Sequence, residues 1–328
     1  MCDEEDRLEE HFTTPLLSAY AHGPGSSMNR QGFGAFEPRL LEFGAMRLEA
    51  MDKAGIDLAV LSVTSPGVQA EPDTQLAIKR AFEANDGLAY VIADHPTRYA
   101  GFAHLPLQDA NAAADELTRC VMQLGFKGAM INGHTNGRYL DEAMYDPFWE
   151  RVQELGVPIY LHPRDPYDRP HIYQGHPELL GATWSWTVET ASHALRMVFG
   201  GVFDRYPDVK VILGHMGETL PYLLWRLDSR TRIQARLGQG REPARLPSEV
   251  IKRNIVVTTT GVCAHPALIC ALSALGEDSV LFSVDYPYED CSVAAAFIES
   301  APISESTRAK VCHGNAERLL GLNVAQPA

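Results

Sequence analysis

The chain has 328 residues, 45% of them hydrophobic, and a formal net charge of −14. This hydrophobic fraction is ordinary for a globular protein with a sizeable core, while the acidic balance disfavours nucleic acid and anionic membranes as partners. The acidic N-terminal stretch has no apolar core of the kind that secretory signals carry, and no apolar run approaches the ~18 residues of a membrane span. We therefore expect a cytoplasmic protein.

Strand-like apolar runs alternate with helical patterns along the chain. After a short first strand around Leu8, strands are predicted at 57–63, 99–105, 126–131, 158–162, 209–215, 254–258 and 280–285. Helices are predicted at 37–55, 73–94, 111–124, 146–155, 186–203, 218–236, 265–275 and 292–320. Eight strands that alternate with helices predict a (β/α)8 TIM-like barrel, an α/β fold. We expect one domain over residues 1–328, with loop insertions at about 20–36 and 163–183.

Four metal-ligand side chains stand at strand ends. Glu9 and His11 are two residues apart, so they share one side of a strand, and later apolar runs end in His162 and Asp285. Strand ends of a parallel barrel converge on one face. Two nitrogen and two carboxylate ligands suit a divalent ion such as zinc or manganese and leave positions open for water or substrate. The alternative for Glu9 is a place in an acidic N-terminal surface.

The strand that ends at Asn132 offers no lysine at its mouth. A carbamate-bridged pair of metals is therefore disfavoured, and we expect one divalent ion per chain. The chain also lacks the GxSxG, P-loop and GxGxxG patterns, which disfavours the chemistries that those motifs serve.

A second titratable pair is expected at the strand end near His215. Glu218 lies three residues further on, where it could orient and charge the imidazole for acid–base chemistry. The alternative is a core histidine that bonds a backbone carbonyl. Arg226 follows Glu218 by about two helical turns and shares its face, either to hold a substrate anion or to form a surface ion pair.

Several aromatic residues are expected near the strand mouths. We assign Trp186 and Tyr288 to a flat substrate pocket, with ordinary packing as the alternative, and Trp184 and Tyr286 lie close to them in sequence.

Four short motifs occur in a fixed order: EEHF at 9–12, LHPR at 161–164, LGHMGE at 213–218 and FSVDYP at 282–287. With PGVQ at 66–69 and GHP at 175–177, they make the chain resemble the amidohydrolase-related, metal-dependent decarboxylases. The similarity is greatest to γ-resorcylate (2,6-dihydroxybenzoate) decarboxylase and its 2,3-dihydroxybenzoate relatives. It runs from Glu9 to about Leu322.

The resemblance implies an amidohydrolase-type barrel and a carbon–carbon lyase. The reaction would be the non-oxidative, in principle reversible, loss of CO2 from an ortho-hydroxybenzoate of the dihydroxybenzoate or salicylate type. It also implies a metal held by the four ligand-type residues named above, and a homodimer or homotetramer.

The resemblance further assigns roles to individual residues. Asp285 would deliver the proton to the ring carbon, with His215 and Glu218 adjacent to it. Asn132 and Arg226 would help to hold the substrate.

Two other functions fit the same residues. One is hydrolysis of a lactone or amide by metal-bound water, with His215 as the base. The other is a non-catalytic metal-binding protein, since this barrel hosts many functions. Release of CO2 without net hydrolysis would distinguish the decarboxylase from both.

Overall fold

A computed structural model describes residues 6–23, 26–240 and 243–322 of the chain. The strands within these ranges are β1 Asp6–Phe12, β2 Leu58–Val63, β3 Tyr99–Gly101, β4 Ala103–His104, β5 Ala129–Asn132, β6 Ile159–His162, β7 Val211–Leu213, β8 Ile255–Thr258 and β9 Val280–Leu281. The helices are α1 Ser18–Ala21, α2 Arg30–Gly34, α3 Glu37–Leu40, α4 Ala45–Lys53, α5 Thr74–Asp94, α6 Ala110–Leu124, α7 Asp146–Leu155, α8 Ser185–Phe199, α9 Val202–Arg205, α10 His215–Glu218, α11 Leu220–Arg236, α12 Pro247–Asn254, α13 His265–Leu275, α14 Cys291–Glu299, α15 Glu305–Ala309 and α16 Asn315–Leu320.

The strands are parallel and follow the order of the chain. β1 to β3 form one ladder and β4 to β9 form the next. β3 and β4 are two halves of one strand, interrupted at Phe102, whose N–H donates to the Leu61 carbonyl at 3.0 Å. Counted in this way, the described part of the chain has eight parallel strands that alternate with helices, as predicted for a (β/α)8 fold.

The last strand meets the first through individual hydrogen bonds. The N–H of His11 donates to the Tyr286 carbonyl at 2.8 Å, and the N–H of Asp285 donates to the Glu9 carbonyl at 3.1 Å. The Glu10 carboxylate accepts a further bond from the Tyr286 N–H at 3.2 Å. These bonds hold the segment that follows β9 against β1, and so bring the ligand-type residues of both together.

Two apolar layers surround the strands. The smaller layer takes one side chain from most strands, and α16 adds Leu320 to it. The larger layer lies between the strands and the helices and includes fully buried residues such as Trp149 and Phe282. Strands with apolar packing on both faces are typical of parallel sheets covered by helices. None of the helices in the described ranges is long and apolar enough to cross a membrane.

Several predicted helices are divided in the structure. The prediction at 37–55 corresponds to α3 and α4, with Gly44 outside helical geometry before α4, and the prediction at 186–203 corresponds to α8 and α9, with Gly201 left-handed between them. The last prediction, 292–320, comprises α14, α15 and α16. Apolar periodicity continued across the first two breaks because each piece buries apolar side chains, Leu40 and Met51 on α3 and α4, and Met197 and Phe203 on α8 and α9.

The short helices α1 and α2, which lie in or beside the loop expected at about 20–36, were not predicted, and neither was α12. α12 lies in a segment rich in proline and arginine, between the helix predicted at 218–236 and the strand predicted at 254–258. Pro247 occupies its first turn, where a missing N–H costs nothing, and the Glu249 carboxylate accepts the Leu246 N–H at 2.8 Å. The proline therefore starts this helix instead of interrupting it.

Gly128, the residue before β5, lies too close to the Pro158 carbonyl to carry a side chain. Its φ is +147°, and a Cβ there would lie 2.3 Å from the Pro158 carbonyl oxygen, whereas Gly125, with φ +75°, has open space around its Cβ position. We expect Gly128→Ala to lower the free energy of unfolding by roughly 3 kcal/mol or more, since it combines backbone strain with a clash. The matched control, Gly125→Ala, should cost about 1 kcal/mol. Urea denaturation measures both, and equal losses would contradict this account of Gly128.

Candidate active site and metal centre

Three buried side chains converge at the carboxyl end of the barrel. Glu9 and His11 come from β1 and His162 ends β6, and one ligand atom from each lies within 4.8 Å of the others. The Nε2 atom of His162 is 3.1 Å from Oε1 of Glu9, and Nε2 of His11 is 3.8 Å from the same oxygen. The side-by-side placement of Glu9 and His11 in the barrel follows the sequence expectation.

Asp285 adjoins this group from the segment after β9, which ends at Leu281 and is shorter than the strand predicted at 280–285. Its Oδ1 atom lies 3.1 Å from Nε2 of His11. Within the described part of the chain, Oδ1 of Asp285, Oε1 of Glu9 and Nε2 of His11 are buried and make no hydrogen bond of acceptable geometry. Buried polar atoms without partners are costly, so three that face one another fit a positively charged ligand such as a metal ion.

The orientation of His162 supports the same conclusion. Its Nδ1 atom lies 2.8 Å from the Pro163 carbonyl, which can only accept, so Nδ1 donates there. Its Nε2 atom then faces the Glu9 carboxylate at 3.1 Å, where a proton or a metal ion between the two atoms would be stabilised. The residues present therefore fit a divalent metal ion with nitrogen and oxygen ligands.

Glu9 is held in place by a residue that sequence reasoning missed. The hydroxyl of Tyr160 donates to Oε2 of Glu9 and lies 2.8 Å from Oγ1 of Thr258. Burial and the charge of Glu9 both raise the pKa of Tyr160, which keeps the phenol protonated and donating. A Cβ at Gly214 would lie 2.7 Å from Oε2 of Glu9, so glycine leaves the room for this contact. Tyr160 stands two residues before His162, and that spacing was the available signal.

The electrostatic field of the site favours positive charge. Burial by itself lowers the pKa of His11, but Asp285 and Glu9 outweigh it and raise the pKa to about 9. Burial would raise the pKa of Glu9, yet His215 and the two neighbouring histidines outweigh it and lower the pKa well below its usual value. Carboxylates that stabilise an imidazolium in this way also favour a bound cation.

His215 and Glu218 form the pair that the sequence predicted. Nδ1 of His215 lies 2.8 Å from Oε1 of the buried Glu218, while Nε2 lies 3.9 Å from Oδ2 of Asp285. Burial lowers the pKa of His215, but Glu218 first, and then Glu9 and Asp285, raise it well above its usual value. The pair is thus a salt bridge that reaches towards Asp285, and its catalytic role remains a prediction.

An unusual backbone places this pair. His215 has φ +51°, Met216 +56°, Gly217 +75° and Glu218 +51°, so α10 is a left-handed turn. Left-handed geometry costs non-glycine residues roughly 1–2 kcal/mol each. A Cβ at Gly217 would lie 2.6 Å from a methyl carbon of Val257, which explains the glycine. Strain of this kind is commonly found at functional sites, where it aims side chains.

Asn132 ends β5 and pairs in register with His162. Its side-chain nitrogen donates to the carbonyls of Val63 at 3.2 Å and Thr64 at 3.4 Å. Its Oδ1 atom is buried and has no hydrogen-bond partner among the described residues. This oxygen is available to accept a hydrogen bond from a ligand, and the predicted role of Asn132 in holding substrate has not been tested.

Two of the four predicted aromatic residues lie beside the ligand histidines. The ring of Tyr288 is centred 5.8 Å from His11, and the ring of Trp186 is centred 6.4 Å from His162. Trp184 is exposed, and the ring of Tyr286 packs under the guanidinium of Arg47 at 4.7 Å. Only Trp186 and Tyr288 therefore have positions suited to a pocket wall.

Arg226 does not join this group in the structure. It is exposed on α11, and no hydrogen bond or ion pair of the described residues involves it. Its neighbours Tyr222 and Trp225 are 81% and 78% exposed. A substrate contact for Arg226 remains a prediction.

The amidohydrolase family model matches residues 34–322. The chain belongs to this family. A curated relative, the γ-resorcylate decarboxylase of Polaromonas sp. strain JS666, is 43% identical over 325 residues, which cover 96% of this chain and 98% of the relative. The family match begins after Glu9 and His11, whereas the similarity to this relative spans almost the whole chain.

Solved structures of the family agree with the fold. A 2,6-dihydroxybenzoate decarboxylase complexed with 2,6-dihydroxybenzoate superposes with a TM-score of 0.88 at 41% identity, covering 98% of this chain and 100% of the other. The dihydroxybenzoic acid decarboxylase of Polaromonas sp. JS666, with bound manganese and the inhibitor 2-nitroresorcinol, superposes at 0.91 and 43% identity, covering 99% and 98%. This chain is therefore an amidohydrolase-type barrel with a metal-dependent decarboxylase as a close structural neighbour.

The ligand set can be tested by metal analysis. His162→Ala removes one converging nitrogen, so the purified variant should lose its tightly bound metal, while the wild-type chain should hold one ion. His193→Gln is the matched control, because His193 is another buried histidine, but its Nε2 accepts the Leu140 N–H at 2.9 Å. Normal metal content in His162→Ala would remove that residue from the ligand set, and two tightly bound ions per active chain would contradict the single site.

Proposed function

We propose that the protein is a metal-dependent decarboxylase of ortho-hydroxybenzoates, with 2,6-dihydroxybenzoate as the leading substrate. The observation that carries the proposal is the position of Asp285. One of its carboxylate oxygens lies 3.1 Å from Nε2 of His11, and the other lies 3.9 Å from Nε2 of His215. A single carboxyl group thus joins a candidate metal centre to a charged acid–base pair.

We propose that Glu9, His11, His162 and Asp285 hold one divalent ion, manganese or zinc. Their mixture of oxygen and nitrogen donors suits either metal, and the Polaromonas neighbour contains manganese. When bound, such an ion would supply Lewis-acid and template chemistry for a carboxylate and a neighbouring phenolic oxygen.

The expected role of Asp285 follows from the chemistry of the ring. Direct loss of CO2 from an aromatic ring would leave an aryl carbanion, whereas protonation of the ring carbon first avoids it. The ortho oxygen donates electrons to that carbon, Asp285 gives the proton, and CO2 then leaves as the ring regains aromaticity. Asp285 must therefore hold a proton at the start of each cycle.

We expect His215 to return that proton. Its Nε2 faces Oδ2 of Asp285, and its Nδ1 is bonded to Glu218, which fixes the ring and stabilises its positive charge. After each turnover, His215 can pass a proton to Asp285 and regain one at the solvent side of the pocket. Glu218 is fully buried and acts only through His215 in this scheme.

The remaining predicted residues surround the substrate ring. The free Oδ1 of Asn132 would accept a hydrogen bond from a phenolic hydroxyl. Trp186 and Tyr288 would flank the ring on the His162 and His11 sides. For Arg226 we keep the predicted role of holding the substrate anion, since its exposed guanidinium has no ion-pair partner among the described residues.

We also propose that the enzyme is a cytoplasmic homodimer or homotetramer. The support for assembly is the surface of α11, where Tyr222 and Trp225 expose most of their ring area. Neighbouring exposed aromatic residues of this size are typical of protein–protein contact surfaces.

Replacement of Asp285 tests the proton step. Asp285→Asn keeps the shape and one oxygen ligand but cannot give a proton, so kcat should fall by about 10²–10⁴-fold, the range for loss of a general acid. The Kd for substrate should change much less. Single-turnover kinetics and substrate titration, both on variant with measured metal content, separate the two effects. A kcat near that of the wild type would show that the proton comes from another group, with His215 the next candidate.

A substrate panel tests the function itself. The metal-loaded enzyme should release CO2 from 2,6-dihydroxybenzoate, 2,3-dihydroxybenzoate or salicylate, because their ortho hydroxyl can chelate the metal and donate electrons to the ring. It should not act on 3-hydroxybenzoate or 2-methoxybenzoate, in which one or both of these roles are lost. Evolved CO2 and the phenolic product are measured together. Comparable kcat/KM for the hydroxy and methoxy acids would contradict the chelate mechanism, and turnover of lactones or amides alone would favour a hydrolase.

A further inference from the structure

Asp165 joins two parts of the chain that flank the site. It lies three residues after His162, in the loop that follows β6. Its Oδ2 accepts the backbone N–H of Ser27 at 2.7 Å and the Ser27 hydroxyl at 3.0 Å, while its Oδ1 accepts the indole N–H of Trp186 at 3.0 Å. One half-buried carboxylate thus uses both oxygens to connect segments 138 and 21 residues away in sequence.

The bond to Trp186 connects Asp165 with the metal centre. Trp186 stands at the start of α8, and its ring lies edge-on to that of the ligand residue His162. A tryptophan at this position could turn about its side-chain bonds, and the hydrogen bond from its indole N–H selects one orientation. Asp165 therefore determines how the Trp186 ring faces the pocket.

The bond to Ser27 connects Asp165 with the part of the site that contains Tyr288. Ser27 belongs to segment 26–36, which ends at Phe36, and the Phe36 ring is centred 4.9 Å from Tyr288. Tyr288 in turn lies beside His11, with its hydroxyl 2.7 Å from Oγ1 of Thr64. Segment 26–36 is thus fastened to the Trp186 side at one end and packs on Tyr288 at the other.

We propose that Asp165 is a positioning residue that fixes the separation of the two aromatic walls, Trp186 and Tyr288, and so helps to select flat aromatic acids. The proposal rests on the proposed function for its substrate but concerns residues outside the ligand set. Asp165 acts through Trp186 and Ser27, and none of its polar contacts is with a ligand-type residue.

Asparagine cannot replace this carboxylate. All three partners of Asp165 are donors, and the amide of asparagine offers one accepting oxygen and one donating nitrogen. If its oxygen faces Ser27, its NH2 group faces the indole N–H of Trp186, and the two donors repel. If its oxygen faces Trp186, the backbone N–H of Ser27 loses its acceptor. Either orientation removes the hydrogen bond that holds Trp186 or the one that holds the backbone of Ser27.

Asp165→Asn therefore tests the proposal. We expect KM for 2,6-dihydroxybenzoate to rise roughly tenfold, as the loss of a hydrogen bond to a charged group would predict, with a smaller change in kcat. Metal content and the melting temperature should remain close to those of the matched control, Asp228→Asn. Asp228 accepts the N–H and hydroxyl of Ser248 at 3.0 and 2.7 Å, the same pair of bonds, but it links α11 to α12.

A double-mutant cycle identifies the route of the effect. Trp186→Phe keeps an aromatic ring but removes the donated hydrogen bond. If Asp165 acts through Trp186, the double variant should have a KM close to that of the worse single variant. Fully additive effects, or a KM for Asp165→Asn within twofold of that for Asp228→Asn, would overturn the proposal.

A spectroscopic measurement keeps the test separate from the proposed function. The fluorescence of the wild type minus that of Trp186→Phe gives the emission of the Trp186 indole. In the Asp165→Asn background, the wavelength of this emission should shift, and acrylamide should quench it more easily. An unchanged difference spectrum would overturn the positioning role. A changed spectrum in a protein that releases no CO2 from any hydroxybenzoate would instead support Asp165 and contradict the proposed function.

Discussion

The meeting of the first and last strands is the constraint on which the site depends. The N–H of Asp285 donates to the carbonyl of Glu9 at 3.1 Å, and the N–H of Glu9 donates to the hydroxyl of Ser283 at 2.7 Å. Barrel closure therefore forces two carboxylates into one buried place, which is unfavourable unless histidines and a cation compensate for them. A shift of one residue in β1 would turn Glu9 and His11 away from Asp285. The register of β1 therefore decides whether these residues can bind one metal ion.

The backbone is strained at the residues expected to carry the chemistry. Asp285 has φ +89°, and the left-handed turn continues from His215 to Thr219 at φ +67°. Each such residue costs roughly 1–3 kcal/mol, which persists only where the surroundings enforce it. Here the hydrogen bond of Asp285 to Glu9 and the close packing of Gly217 on Val257 provide that enforcement. The stability of the whole barrel therefore offsets the cost of these left-handed backbone conformations.

The sequence predicts the residues at strand ends better than it predicts contacts between distant segments. His162 and Asp285 could be found because a ligand-type residue at the end of an apolar run is visible locally, and α7 and α13 have the bounds that periodicity predicted. The contacts from Asp165 to Ser27 and from Phe36 to Tyr288 could not be found, because they join residues 138 and 252 positions apart. No local pattern encodes such pairs, since they exist only after the barrel has closed.

The candidate metal ligands and the aromatic wall residues are positioned by different parts of the fold. Glu9, His11 and His162 lie on strands, where a change of position would disturb the core. Trp186 and Tyr288 depend instead on loops and on a few polar bonds. The loop after β6 is fastened a second time, because Arg164 donates to the carbonyls of Gln69 at 3.2 Å and His134 at 2.6 Å. The loop that carries Asp165 is therefore held by bonds of its own, besides those of Asp165. The fold therefore separates the residues that hold a metal from those that would select the acid bound to it.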